Sequence, residues 1–319
     1  MSNFIIFGLL HIKIKENNKL NFVHRNDEEK IYVYLKNAVL LSEQLKAQNV
    51  NFVLITNKKK LLQKYLDRLN YKINLKEIKF HTFVPKNTHF YSCHYRVDVF
   101  RYLSNLKNNY SILVDLDVLI FGNLKKFFKK KNNRIAYVHD ITNNVIPAYG
   151  ESSILSNLKK LNPSINLVKW YGGDFFAGNY MFYKKLFQKT RRYQKLFIKY
   201  PSFIKNQTDE LFISAAINDM NFYKINKINN SAQKKIFTRY WNTNVRHKQK
   251  NLSYYQKFYI LHLPSDKIFL NTFLKKLPLK NNFKYEYFNY VKSLKNLFKI
   301  NVLRFLPIYL KNQIKRVAH

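Results

Sequence analysis

Apolar runs of strand length alternate with helical periodicities through the first third of the chain. Residues 4–12 form one such run, too short to span a bilayer, and a polar stretch follows over 13–30. Val33, Leu40, Leu41 and Leu45 then recur at helical spacing and predict a helix over 31–48. NFVLIT at 51–56 ends at Asn57 and predicts a strand followed by a turn. A second amphipathic helix is expected over 60–69 and a further strand near 77–83. Runs that are apolar throughout, rather than alternating, belong to strands covered on both faces. The β-α-β-α-β order therefore predicts an α/β fold, with a mainly parallel sheet flanked by helices. In such sheets ligands collect at the carboxyl ends of the strands.

A helix over 95–106 leads into the most informative segment, SILVDLDVLIFGNL at 111–124. Here two aspartates interrupt what otherwise reads as one buried strand. Alternation would put Asp115 and Asp117 on one face and Leu116 on the other. Two carboxylates so close in an apolar strand, with no basic residue beside them in sequence, repel each other and lose solvation unless a cation lies between them. A divalent metal meets that need. Downstream, a strand over 134–138 ends in His139 and Asp140, and 141–170 reads as irregular to helical. A Gly-marked turn enters a strand over 171–183, Thr208 can cap a helix over 209–216, and a short strand over 259–263 stops at Pro264. From 285 onward the pattern is a Lys-rich helical tail with a single acid, Glu286.

Composition sharpens this picture in two places. The chain has 319 residues, 46% hydrophobic and 17% aromatic, which suits a folded protein with a sizeable core and excludes disorder. It carries 57 Lys and Arg against 18 Asp and Glu, a formal charge of +39 that points to an anionic partner such as nucleic acid, an acidic membrane or a phosphorylated substrate. Lys, Asn, Ile, Phe and Tyr are all abundant, as AT-rich codons favour, so solvated lysine is an equally good account of that charge. The single cysteine, Cys93, excludes an intramolecular disulfide, fits a reducing cytoplasm and reads as a small packed side chain rather than a nucleophile. Residues 4–12 lack the basic start and cleavage site of a signal peptide, which also leads to an expected cytoplasmic location.

The segment ILVDLDVLIFGNL resembles the DxD motif of nucleotide-sugar glycosyltransferases with the GT-A fold, in particular the glycogenin-like group. The resemblance implies that Asp115 and Asp117 hold Mn²⁺ or Mg²⁺, which grips the diphosphate of a sugar donor. A nucleoside diphosphate leaves poorly until a hard cation neutralises its developing charge, and oxygen ligands suit such a cation. Upstream, YRVDVFRYL is similar to the SDxxRyxxL helix that precedes DxD in several of these enzymes. This carries a donor-site role to Asp98 and Arg101, with Arg96 as a further candidate. The Gly-Gly pair often found before the DxD strand is absent. An ordinary Asp-Arg surface pair is the plain alternative for Asp98 and Arg101.

Asp174 in WYGGDFFAG lies where related enzymes place a turn lining the sugar pocket, and Gly172 and Gly173 would let the backbone approach a ligand closely. Asp209-Glu210 sits where the family carries an Asp-Gln pair near the donor sugar, so only the aspartate matches. Acids in a first helical turn also oppose the helix dipole, which would make the pair purely structural. His262, followed by Pro264, Asp266 and Lys267, resembles the late HxxGxxKPW motif, whose histidine completes the metal site and whose lysine contacts phosphate. Ser265 stands at the glycine position, the lysine arrives one residue early, and no Pro-Trp follows.

The resemblance thus implies a catalytic domain over 1–284 that moves a sugar, from a donor such as a uridine diphosphate sugar, to a glycan or glycolipid acceptor of the lipooligosaccharide or capsule type. The basic amphipathic tail over 285–319 would touch an anionic membrane surface at the inner face of the cytoplasmic membrane. Two other classes compete. Haloacid-dehalogenase phosphohydrolases also begin with an apolar strand and DxD, but theirs lies near the chain start and continues to Thr or Val where this chain has Leu119. A non-catalytic RNA- or membrane-binding module would use the lysines and aromatics, but no RNP-like or zinc-finger spacing is present, so no nucleic-acid partner is expected.

Overall fold

The computed structural model describes the chain except for residues 1–3, 14–25, 86–87, 89–90, 108, 130–134, 200–207, 221–224, 229–234, 244, 277–282 and 296–319. It divides into two units, Met1–Lys275 and Lys276–His319. The first holds two sheets. The larger has seven strands: β1 (Phe4–Leu10), β2 (Asn51–Thr56), β3 (Asn74–Glu77), β4 (Tyr110–Val114), β6 (Ala136–Asp140), β7 (Tyr171–Gly178) and β8 (Ile225–Ile228), in the order β3-β2-β1-β4-β7-β6-β8. Pairings β3-β2, β2-β1, β1-β4 and β6-β8 are parallel, and β7 runs antiparallel to both its neighbours. The smaller sheet joins β5 (Val118–Ile120), β10 (Ile260–His262) and β9 (Phe237–Arg239) in that order.

Phe7, Leu113 and Phe176 belong to one apolar cluster with Phe100, Tyr183, Phe212 and Trp170 from the covering helices and loops. Ile6 and Ile112, one residue out of phase, are buried as well, so apolar side chains are covered on both faces of the sheet, as the unbroken runs predict. Helix Asp27–Lys46 packs on β1, β2 and β5. It begins four residues before its periodicity does, because Asn26 caps it by accepting from Glu29 N at 2.8 Å and three acids occupy its first turn. A glutamine of this helix and one in the turn after it hold the edge of the segment after the DxD: Gln44 Oε1 accepts from Ile120 N at 2.8 Å, and Gln48 Oε1 from Leu124 N at 2.9 Å.

Several elements differ from the expectation. The strand near 77–83 is β3, Asn74–Glu77, a short polar edge. Phe80 from the apolar stretch beyond it packs on His11 and Tyr95 instead. The helix over 95–106 is two pieces, Tyr91–His94 and Arg96–Leu103. The aspartates do not sit inside a strand, since β4 ends at Val114, β5 begins at Val118, and Asp115-Leu116-Asp117 is the bend between them. Gly172 and Gly173 are not a turn before a strand but part of fully buried β7. There the register slips against β6 between Val138, opposite Phe176, and Asp140, opposite Tyr171, so residues 172–175 bulge beside His139.

In the second unit residues 283–295 are helical, and Lys276 pairs with Glu286. Most of the predicted tail lies outside the described residues. Among the described residues no helix is long and apolar enough to cross a membrane.

Candidate active site

The bend at Asp115–Asp117 is fixed by backbone bonds on both sides. Asp115 N donates to Asp174 O at 3.2 Å, and Leu263 N donates to Asp117 O at 2.8 Å. The small sheet supplies the rest, because antiparallel pairing sets His262 opposite Val118 and parallel pairing sets it beside Arg239. His262 Nε2 consequently faces both carboxylates, at 3.2 Å from Asp117 Oδ1 and 3.6 Å from Asp115 Oδ2. One ligand atom from each of Asp115, Asp117 and His262 lies within 4.8 Å of the others. The other ring nitrogen, Nδ1, is 2.9 Å from Asp174 Oδ2. A carboxylate behind a histidine fixes its tautomer and orientation, the usual support of a ligating imidazole. Two oxygen ligands and one nitrogen suit Mn²⁺ or Mg²⁺, so the residues present fit a divalent cation.

Chain-borne cations, none of them a sequence neighbour, crowd the same carboxylates. Arg96 Nη2 is 2.7 Å from Asp115 Oδ1, and its Nη1 pairs with Asp209. Lys267 Nζ is 2.7 Å from Asp117 Oδ2. Burial opposes the charge of Asp117, but Lys267 and His262 outweigh it and hold the carboxyl well below its ordinary range. Burial dominates at Asp115 and at Asp209, so both are raised even though they share Arg96. Burial also works against charge on His262, yet Asp117 and Asp174 push it up to about 9.

A second layer stands behind the histidine. Asp174 accepts from His139 Nδ1 at 3.0 Å and from Arg239 Nε at 2.7 Å, and it is held well below the carboxylate range because Arg239 and His139 overcome its burial. Arg239 Nη2 reaches Glu210 Oε1 at 2.8 Å, and Glu210 Oε2 accepts from Trp170 Nε1 at 3.0 Å. The two glycines make room for this layer. A Cβ on Gly172 would strike the Asp174 carboxylate, and one on Gly173 the Arg96 guanidinium.

The structure therefore brings Arg96, Asp115, Asp117, Asp174, Asp209, His262 and Lys267 together. It does not bring Asp98 and Arg101 to them. Asp98 Oδ2 accepts from His81 N at 3.1 Å and Thr82 N at 2.9 Å, while its Oδ1 pairs with Arg101 at 3.3 Å. This pair anchors the loop after β3, and the arginine that meets the DxD carboxylate is Arg96. Asp174 is enclosed by His139, Arg239 and His262, so it supports the site from behind. Arg239 had no sequence signal, His139 was noted only at the end of a predicted strand, and Glu210 only as the partner of Asp209.

This sheet order with an acidic bend after β4 is a GT-A fold. Two solved structures of galactosyltransferase LgtC share it, one in complex with donor and acceptor sugar analogues at 9% identity and one of an active-site mutant at 10%. Each superposes on 87% of this chain and 97% of its own with a TM-score of 0.52. The apo form of mouse xyloside xylosyltransferase 1 matches at 12% identity over 75% of this chain and 88% of its own, with a TM-score of 0.43. No family model and no curated protein sequence matches the chain.

Proposed function

We propose that the protein is a metal-dependent glycosyltransferase that moves a sugar from a nucleoside-diphosphate donor to a hydroxyl of a glycan or glycolipid acceptor. The observation that carries this reading is the convergence of Asp115, Asp117 and His262 Nε2, one ligand atom each, at the carboxyl end of β4. The fold shared with a galactosyltransferase crystallised with donor and acceptor sugar analogues supports it. The haloacid-dehalogenase reading has no comparable support.

Asp115, Asp117 and His262 would hold Mn²⁺ or Mg²⁺, and a bound divalent ion supplies charge neutralisation to the departing diphosphate. Lys267 stands beside Asp117, its ammonium also donates to Pro264 O, and its remaining N–H would serve a phosphate oxygen. Arg96 keeps Asp115 and Asp209 in fixed relation, and Asp209 would orient the donor sugar. Asp174 acts through His262 rather than on the substrate. We assign the acceptor to the bacterial surface-glycan class, and the basic residues beyond 285 to contact with an anionic membrane surface. Screening purified protein against nucleotide sugars with Mn²⁺, and following release of nucleoside diphosphate, tests the reading. Turnover with at least one sugar that is lost with EDTA and in Asp117→Asn is expected. Turnover indifferent to both would overturn it.

A further inference from the structure

Helix Tyr180–Lys199 follows β7 and packs on Arg96–Leu103 and Asp209–Asn218, burying Phe182, Tyr183, Leu186, Tyr193 and Phe197. Its opposite side is basic. Lys184, Lys185, Arg191, Arg192, Lys195 and Lys199 are exposed, and at 3.6 residues per turn they fall within an arc of about 120° on a rod about 30 Å long. None of the helix's 20 residues is acidic, whereas every other described helix of ten residues or more carries at least one acid. Asp219 pairs with Lys189 at 2.6 Å, at the edge of the stripe. It leaves Lys184, Lys185, Arg191, Arg192 and Lys195 without an acid partner among the described residues.

Such a stripe works against its own helix. Arg191 and Lys195 stand four residues apart, as do Lys195 and Lys199, and like charges at that spacing destabilise a helix. Solvation alone does not require this, because one glutamate in the row would relieve the repulsion and keep the face as wet. The arginines are also braced: Arg191 lies over the Phe187 ring at 5.9 Å and Arg192 over the Tyr193 ring at 5.8 Å. Guanidinium groups held in this way lose less freedom on binding an anion.

The shape of the face selects among anionic partners. Single-stranded nucleic acid is held in a groove and by exposed rings on which bases stack. Here the face is one convex helix, Tyr183 and Tyr193 are buried, and Phe187 is half-buried with Arg191 over its ring. A phospholipid surface needs only a straight row of cations. The stripe also ends beside the candidate site, since the Phe197 ring is 5.6 Å from that of His94 and 5.8 Å from that of Phe212. His94 precedes Arg96 by two residues, and Phe212 follows Asp209 by three.

We propose that the exposed face of helix Tyr180–Lys199 is a docking surface for an anionic phospholipid bilayer, distinct from the basic residues beyond 285. Docking there would hold the Asp115–Asp117 bend near a leaflet that carries a glycolipid acceptor. That consequence rests on the transferase reading; the docking itself does not.

Full-length protein is sedimented with vesicles of phosphatidylglycerol in phosphatidylcholine, and with vesicles of phosphatidylcholine alone, at low and high salt. Binding to the anionic vesicles only, lost at high salt, is expected. A variant combining Lys184→Gln, Arg191→Gln, Arg192→Gln and Lys195→Gln should bind more weakly by about fivefold per charge, hence about a hundredfold or more. Each half of it, Lys184→Gln with Lys195→Gln and Arg191→Gln with Arg192→Gln, should cost about tenfold or more, so the result does not hang on one variant. Two controls remove the same charge elsewhere: glutamine at Lys59, Lys60, Lys64 and Lys72, and glutamine at Lys299, Lys311, Lys315 and Arg316. Wild-type affinity in the helix variants, or an equal loss in the Lys59 control, overturns the docking face. Loss in the helix variant and the tail control together supports it as one of two contacts, whereas loss in the tail control alone overturns it. No binding of the intact protein to anionic vesicles at low salt overturns it as well. If the four glutamines abolish binding of poly(U) and leave vesicle binding unchanged, the face reads nucleic acid and the proposal fails. Mn²⁺-dependent release of nucleoside diphosphate from nucleotide sugars, measured without vesicles, should be unchanged in the helix variant. Its absence in the wild type would overturn the transferase reading and leave the docking face standing.

Discussion

Asp174 Oδ2 and His262 Nδ1 lie 2.9 Å apart, and this one bond turns the imidazole so that Nε2 faces Asp117 at 3.2 Å and Asp115 at 3.6 Å. Asp174→Asn keeps the size of the side chain but removes the charge that fixes the ring. Supporting carboxylates of this kind typically contribute about 10–100-fold in metal affinity. Mn²⁺ affinity, followed by electron paramagnetic resonance, should fall by that order. The same variant should also lose stability, because Arg239 and His139 would face a neutral amide. Wild-type Mn²⁺ affinity in Asp174→Asn would contradict the role.

Arg96 and Arg101 should behave differently although they lie five positions apart. Arg96 is buried between Asp115 and Asp209, and breaking a buried pair by removing one partner costs about 3–5 kcal/mol. Arg101, with its side chain 39% exposed, makes a pair of the kind that contributes about 0–1 kcal/mol. Urea unfolding of Arg96→Gln should show the large loss together with weakened donor binding by calorimetry. Arg101→Gln should stay near wild type in both measurements, and reversed effects would restore the sequence-based assignment.

What the sequence made legible, and what it hid, follows from the range of the interactions. The strand at 51–56 was predicted with its observed bounds because six residues suffice to display an unbroken apolar run. Asp115 and Asp117 were legible because an acidic pair in an apolar run violates a local rule, whereas His262, far away in sequence, was reached only through the resemblance of its loop to a family motif. The ion pairs at those acids were not, since Arg96 is 19 residues from Asp115 and the other cations are farther still. His139 and Arg239 lie 35 and 65 residues from Asp174, and nothing in a window of sequence joins them. The bulge in β7 misled for a related reason, since paired glycines ordinarily mark a turn. Here they clear space for the Asp174 and Arg96 side chains.

His262 and Asp174 give opposite pH signatures in the metal-free protein. His262 is pushed up to about 9, so its contribution to stability is fully present below its ordinary value near pH 6.5 and is lost as pH rises through about 9. Asp174 is held low, so its contribution is present above about pH 4 and disappears in acid. The stability difference between wild type and His262→Gln, measured by urea unfolding in EDTA, should therefore shrink from pH 6 to pH 9. Mn²⁺ binding must displace the ring proton, so wild-type affinity should rise over the same interval. A stability difference that grows toward pH 9 would rule out this coupling.

Cys93, half-buried in the helix Tyr91–His94, offers a test of the electrostatics near the site. Burial, reinforced by Asp209, pushes its thiol up to about 12, so at pH 8 only about one molecule in ten thousand carries the reactive thiolate. Iodoacetamide should leave the native protein unmodified over hours and label it rapidly in guanidinium, as mass spectrometry would show. Rapid native labelling would mean that the surroundings of the thiol do not suppress its ionisation.

The last prediction separates binding of bare metal from binding of donor. Lys267 Nζ lies 2.7 Å from Asp117 Oδ2, and Asp117 Oδ1 faces His262, so the ammonium partly neutralises a carboxylate that would otherwise hold the cation alone. Charges a few ångströms apart at a protein site interact by a few kcal/mol before screening, and two cations repel. Lys267→Met keeps the length and packing of the stem but removes that repulsion. Bare Mn²⁺ should consequently bind about tenfold more tightly to Lys267→Met than to wild type in calorimetry. The nucleotide-sugar donor should bind more weakly to the metal-loaded variant, because its diphosphate has lost a charge-assisted donor. These opposite shifts distinguish the phosphate role from a purely structural one. If Lys267 only braces the Asp117 bend, both affinities should fall together, and the ammonium would then have no part in holding the donor.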